Sequence, residues 1–158
     1  MEKKGYKFNS NSDTEVLLHL YDDQGIKMLS LIRGMFSFLL WDNFEKRLLV
    51  ARDPYGIKPL YYSDNGHSIR LASQVKALMA GGKISSSLRP AGTVGFFLFG
   101  HIPEPYTQYK EVNSFPAGHF AFIDQSGMAE PKSYFDFQAL FGCDQCSSSE
   151  EANALVYE

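Results

Sequence analysis

RGMFSFLLWDNFEKRLLVARDPYGIKPLYYSDNGHSIRLASQVKAL, residues 33–78, carries the densest structural signal in the chain. It predicts four strands in succession, then a short helix. Residues 34–41 are almost continuously apolar, which suits a strand covered on both faces. Asp42-Asn43 and Glu45-Lys46 supply a polar turn, and Leu48 to Ala51 form a second strand, so the two pair as a hairpin. Arg52-Asp53-Pro54-Tyr55-Gly56 breaks the pattern: Pro54 fixes its own φ, and Gly56 can take a positive φ without a Cβ penalty. Pro59 to Ser63 resumes as strand, Asp64-Asn65-Gly66 turns, and Ser68 to Ala72 pairs back. Ser73 then caps a helix that runs to Ala80 and stops at Gly81-Gly82.

The polar pair Arg52-Asp53 lies between apolar strands, so at least one member is expected to be partly buried. Two readings stand beside each other: a hydrogen-bonded pair that fixes the turn, or direct contact with a substrate. Removing one member of a truly buried pair costs roughly 3–5 kcal/mol, because the other charge is left uncompensated.

Upstream, Ser12 with Glu15 three residues on is a capping box. Val16, Leu17, Leu20 and Tyr21 give the helix one apolar face, Gly25 stops it, and Met28, Leu29, Leu31 and Ile32 continue the burial up to Arg33. Taken alone, Asp13 is a first-turn acid favoured by the helix dipole. Downstream, Pro90 opens a short apolar segment to Phe99, and residues 100–107 are Pro-rich and expected to be extended. Phe120 to Asp124 and Ala129 to Phe137 read as a last hairpin joined at Ser126-Gly127. The aromatic residues Tyr134, Phe135 and Phe137 read as packing. The tail from residue 138 shifts in composition toward a linker. Cys143 and Cys146 form a lone C-x-x-C without two further ligands at metal spacing, so no metal site is expected. His19, His67, His101 and His119 do not cluster.

The 158 residues fit one domain. A hydrophobic fraction of 44% and an aromatic fraction of 15% argue against disorder. A net charge of -3 without a basic stripe argues against nucleic acid as a partner. No apolar run reaches membrane-spanning length, and the first ten residues lack the apolar core of a signal peptide, so no membrane association and a cytoplasmic location are expected.

In this order and with these gaps, RGMFSFLLWD, ARDPYGIKPLYY and LASQVKAL resemble the second half of the glutaminase domain of glutamine-dependent asparagine synthetases. That domain is a class II glutamine amidotransferase of the N-terminal-nucleophile hydrolase group. Within the shared motif, Arg52, Asp53, Gly56, Lys58 and Pro59 form the structural core. ARDPYGI-PL also resembles the phosphoribosyl-pyrophosphate amidotransferases, but Lys58, Leu60-Tyr61-Tyr62 and Val75-Lys76-Ala77-Leu78 favour the asparagine synthetase branch. Gln74 departs from that branch, which usually carries an acidic residue there.

The resemblance implies an α+β fold, part of a four-layer α/β/β/α sandwich with mostly antiparallel sheets. It implies an amidotransferase domain over residues 1–137, lacking its N-terminal strands, and a linker over residues 138–158 toward a synthetase domain. It also assigns Asp13, in Ser12-Asp13-Thr14-Glu15, to the α-ammonium of glutamine. Family members begin with an exposed Cys nucleophile, followed by an Arg for the glutamine carboxylate and an Asn-Gly oxyanion hole. None of these is found in this chain, which is therefore expected to be inactive alone and to need no cofactor of its own. ATP and magnesium belong to the synthetase domain, which amidates aspartate with the released ammonia. A different class of function is a non-catalytic module that binds a partner, or a second copy of itself, through open sheet edges.

Overall fold

The structure, a computed structural model, describes residues 5–136. Helix α1 spans Asp13–Gln24 and passes into a 3-10 helix, Gly25–Ser30. Strands β1 (Ser37–Asp42) and β2 (Arg47–Arg52) follow, then β3 (Tyr61–Asp64), β4 (Ile69–Ala72) and helix α2 (Val75–Ala80). Helix α3 (Pro90–Phe99), β5 (Asn113–Ser114), β6 (His119–Asp124), β7 (Gly127–Met128) and β8 (Lys132–Ser133) complete the order. No helix among the described residues is long and apolar enough to cross a membrane.

The strands form two antiparallel sheets. One has the order β1-β2-β6-β7, with β8 also on β6; the other has the order β4-β3-β5. Period-two alternation in the central strand β2 sends its side chains into two different cores. Val50, with Ala121 of β6, packs against Leu60 and Phe115 between the sheets. Ala51 faces the other way, onto Met28 and Leu29 beneath α1. α2 packs on β3 and β4. Tyr61, on the outer face of the second sheet, shares a cavity with Val75 of α2 and residues 101–109. The layers thus run helix, sheet, sheet, helix, as expected for the α+β sandwich.

Several expectations change. The strand buried on both faces is β2, where Leu49, Val50 and Ala51 have no exposure. β1 is an edge strand. Its Leu39 and Trp41 lie opposite Val50 and Leu48 yet are 46% and 56% exposed, because the smaller second sheet does not reach over them. Helix α2 is capped by Gln74 without a side-chain bond, not by Ser73. Residues 103–107 turn rather than extend, with the Tyr106 amide donating to the Pro103 carbonyl. The last strand is broken into β7 and β8 around Pro131, which has no amide hydrogen for the ladder. Phe137, Cys143, Cys146 and the expected linker lie outside the described residues.

Candidate functional site

Asp13 stands at the first position of α1 because Ser12 ends the preceding extended segment and caps the helix. The Ser12 hydroxyl accepts from the Thr14 amide at 3.2 Å. Glu15 does not close the expected box on Ser12. Its carboxylate accepts instead from the amides of Asn9 and Ser10, at 2.7 and 2.8 Å, and from the Ser10 hydroxyl. The Ser10 hydroxyl, then the Asn9 amide, hold the Glu15 carboxyl below its ordinary pKa. Residues 9–10 are thereby tied to the helix, and the Asp13 carboxylate is left free at its end.

Among the described residues Asp13 has no hydrogen bond or ion pair. It lines a cavity of about 360 Å³ between α1 and residues 31–36. Val16, expected on the inner face of α1, turns into this cavity, as do Leu31 and Met35. Arg33 is the other charged residue on its wall. A second cavity of about 530 Å³ shares Ile32, Arg33 and Gly34 with the first and adds Pro54, Tyr55 and Tyr134.

The floor of this region is the loop after β2. Arg52 and Asp53 are 4% and 0% exposed, but they do not hold the loop by bonding each other. Neighbouring residues at a strand end point to opposite faces. Asp53 accepts from the amides of Tyr55, Ile57 and Lys58 at 3.1, 3.0 and 2.9 Å. Arg52 donates to the carbonyls of Gly56 and Lys58 from the other side, and reaches across to Ser114, Phe115 and Glu104. Its ion pair with Glu104, at 2.8 Å, joins a buried cation to a half-exposed carboxylate. Gly56 has φ +64, and a Cβ there would sit 3.0 Å from the Arg52 guanidinium and 3.1 Å from Ala117. A side chain there would be strained by the positive φ and would need the guanidinium or Ala117 to give way. Lys58 contributes its backbone, its side chain being exposed, and the Pro59 carbonyl accepts from the Ser37 hydroxyl.

Tyr134, read from sequence only as packing, donates its hydroxyl to the Arg52 carbonyl at 2.7 Å. Burial, then the nearby Asp53 carboxylate, push that hydroxyl well above the ordinary tyrosine range, so it remains a donor. Arg33 was not singled out from sequence, because it sits at the end of an apolar run, where a charge reads as a boundary. Its juxtaposition with Asp13 across twenty residues has no sequence signal. Among the described residues no group of three His, Cys, Asp or Glu side chains could hold a metal ion. The arrangement presents a carboxylate and a guanidinium on an otherwise apolar wall and, among the described residues, no thiol for covalent chemistry.

Residues 1–135 match the family model of the glutamine amidotransferase domain. Over 135 residues the chain is 38% identical to asparagine synthetase [glutamine-hydrolyzing] 1 of Bacillus subtilis (strain 168), covering 85% of this chain and 21% of that protein. It is 27% identical over 163 aligned residues to putative asparagine synthetase [glutamine-hydrolyzing] 2 of Methanocaldococcus jannaschii, covering 99% of this chain and 31% of that protein. The solved structure of glutamine phosphoribosylpyrophosphate amidotransferase from B. subtilis, with ADP and GMP, superposes with a TM-score of 0.55 at 26% identity. That match covers 85% of this chain and 25% of that chain. The chain thus spans about a fifth to a third of the length of these relatives. Its layered fold is that of the N-terminal-nucleophile hydrolase amidotransferases. By its sequence match, its fold and its motif residues, the chain belongs to the glutamine amidotransferase domain family.

Proposed function

We propose that this chain is the glutamine-binding portion of a glutamine-hydrolysing asparagine synthetase, and that Asp13 holds the α-ammonium of glutamine. In that protein the amide of glutamine yields ammonia, which a synthetase domain uses for the ATP-dependent amidation of aspartate. ATP and magnesium belong to that second domain, and the whole works in the cytoplasm. The observation that carries the reading is the free Asp13 carboxylate on the wall of an apolar cavity. A carboxylate so placed gives a cation a charge-assisted bond that no protein group competes for. The 158 residues hold no cysteine besides Cys143 and Cys146, so by themselves they bind glutamine without hydrolysing it.

Calorimetric titration of the chain with L-glutamine tests this. Saturable binding without ammonia release is expected, weakened about tenfold or more in Asp13→Asn, since a bond to a charged group contributes about 1.5–3 kcal/mol. Ammonia release above the buffer rate, or binding unchanged in the variant, would count against it.

A second reading, a non-catalytic interaction module, is favoured by one observation. Leu39 and Trp41 are exposed on edge strand β1, and Val94, Phe96, Phe97, Leu98 and Phe99 are more than half exposed on α3. Unpaired edges and apolar patches of this kind promote association. Sedimentation across a dilution series separates the two: a concentration-dependent complex with no affinity for glutamine favours the module.

A further inference from the structure

We propose that the cavity on the outer face of the second sheet is a ligand site separate from Asp13, and that its Glu104 carboxylate takes a small organic cation with N–H donors, an alkylammonium or alkylguanidinium. This goes beyond the glutamine reading and does not depend on it.

Three observations carry it. First, the cavity has a volume of about 380 Å³ and lies between Tyr61 of β3, Val75 of α2 and residues 101–109. Small-molecule sites are roughly 300–1,000 Å³, so this one suits a ligand at the small end of that range. Second, Glu104 brings a half-used carboxylate to the wall. Its Oε1 accepts from the Arg52 guanidinium at 2.8 Å and from the Ser114 hydroxyl at 3.0 Å. Its Oε2 has no hydrogen-bond partner among the described residues, and the side chain is 48% exposed. The buried Arg52 therefore fixes the carboxylate through one oxygen and leaves the other to a ligand. Third, the groups around that oxygen are aromatic and can accept hydrogen bonds. Tyr61, Tyr106 and Tyr109 line the same cavity, and among the described residues their hydroxyls have no hydrogen bond. The Nδ1 of His101 lies 3.1 Å from the Phe99 carbonyl, which can only accept, so the neutral ring keeps Nε2 as an acceptor.

These features select by charge. Among the described residues no Lys or Arg lines the cavity, so an anion meets Glu104 without a countercharge. Arg89 lies 5.3 Å from the centre of the Tyr106 ring but is not on the cavity wall. A cation with N–H donors gives Oε2 a charge-assisted bond, and tyrosine ring faces within about 6 Å attract the same charge. A quaternary ammonium gains the rings but not the bond.

The test is backbone amide mapping of the full chain during titration with n-butylammonium, n-butylguanidinium, tetramethylammonium and butyrate. Saturable shifts at Tyr61 and residues 101–109 are expected for the first two, weaker binding for tetramethylammonium, and none for butyrate. Glu104→Gln is expected to weaken the two N–H cations by about tenfold or more. Because Glu104 also holds Arg52, a second variant guards against a folding defect. Tyr106 is 42% exposed and its hydroxyl is unbonded among the described residues, so Tyr106→Leu is expected to keep the melting curve and to weaken the cations by about threefold or more. If either folded variant binds them like the wild type, if butyrate moves the same residues as tightly, or if neither N–H cation binds, the proposal is overturned. A parallel titration with L-glutamine keeps the two readings apart: its failure to bind near Asp13 sinks that reading alone.

Discussion

Asp53 shows how much one side chain holds here. Its carboxylate is the acceptor for three backbone amides of the loop between β2 and β3, and the residue has no exposure. Asp53→Ala leaves those donors without an acceptor, at about 1–3 kcal/mol for each one that water does not reach. A loss of about 3 kcal/mol or more in urea unfolding is expected; a loss below about 1 kcal/mol would mean that water replaces the carboxylate. That Arg52 and Asp53 matter was legible, since two charges between apolar strands must find partners. Their partners were not legible. The sequence places them side by side, but the strand sends them to opposite faces, and Ser114, Phe115 and Glu104 come from more than fifty residues away. Asp13 was legible only through a family motif. The cavity that Asp13 shares with Arg33 was not legible, because it exists only after α1 folds back on residues 31–36.

Among the elements, α1 has an acid-sensitive start. The Glu15 carboxyl is held below its ordinary pKa by Ser10 and Asn9. A depressed folded-state value means that its contribution is complete above the unfolded pKa and is lost as pH falls through the folded value. The amide signals of Asn9 and Ser10 are therefore expected to move together on acidification, with a midpoint below that of an ordinary glutamate. A midpoint at or above the ordinary value would contradict the contact. Helix α3 depends on small residues. A Cβ at Gly92 would lie 2.4 Å from the Thr107 carbonyl oxygen, and one at Gly95 would lie 2.5 Å from the Pro103 ring. Gly92→Ala is expected to displace α3 and cost about 1–3 kcal/mol by overpacking, read from the same unfolding curves. An unchanged midpoint would show that α3 can lift without loss. The hairpins and helices were legible from periodicity and from Gly, Pro and Asn turns. The boundaries that moved did so for local reasons, such as Pro131 interrupting the final strand.

At the scale of the whole molecule, sheet order was the part the sequence could not show. The chain skips from β2 to β6 across one sheet and builds a second sheet in between. A long apolar run at residues 34–41 signalled burial on both faces, but position in the sheet decides that. β2 is flanked by β1 and β6 and is buried; β1 at the edge is not. The same architecture leaves two kinds of cavity. One lies at the start of α1 with Asp13 and Arg33, and one lies on the outer face of the second sheet, around Tyr61 and His101. Backbone amide mapping of the chain during an L-glutamine titration tests the central claim most directly. Saturable shifts confined to residues 12–17 and 31–36 are predicted. Shifts centred on Tyr61 and His101, or none at millimolar glutamine, would contradict it.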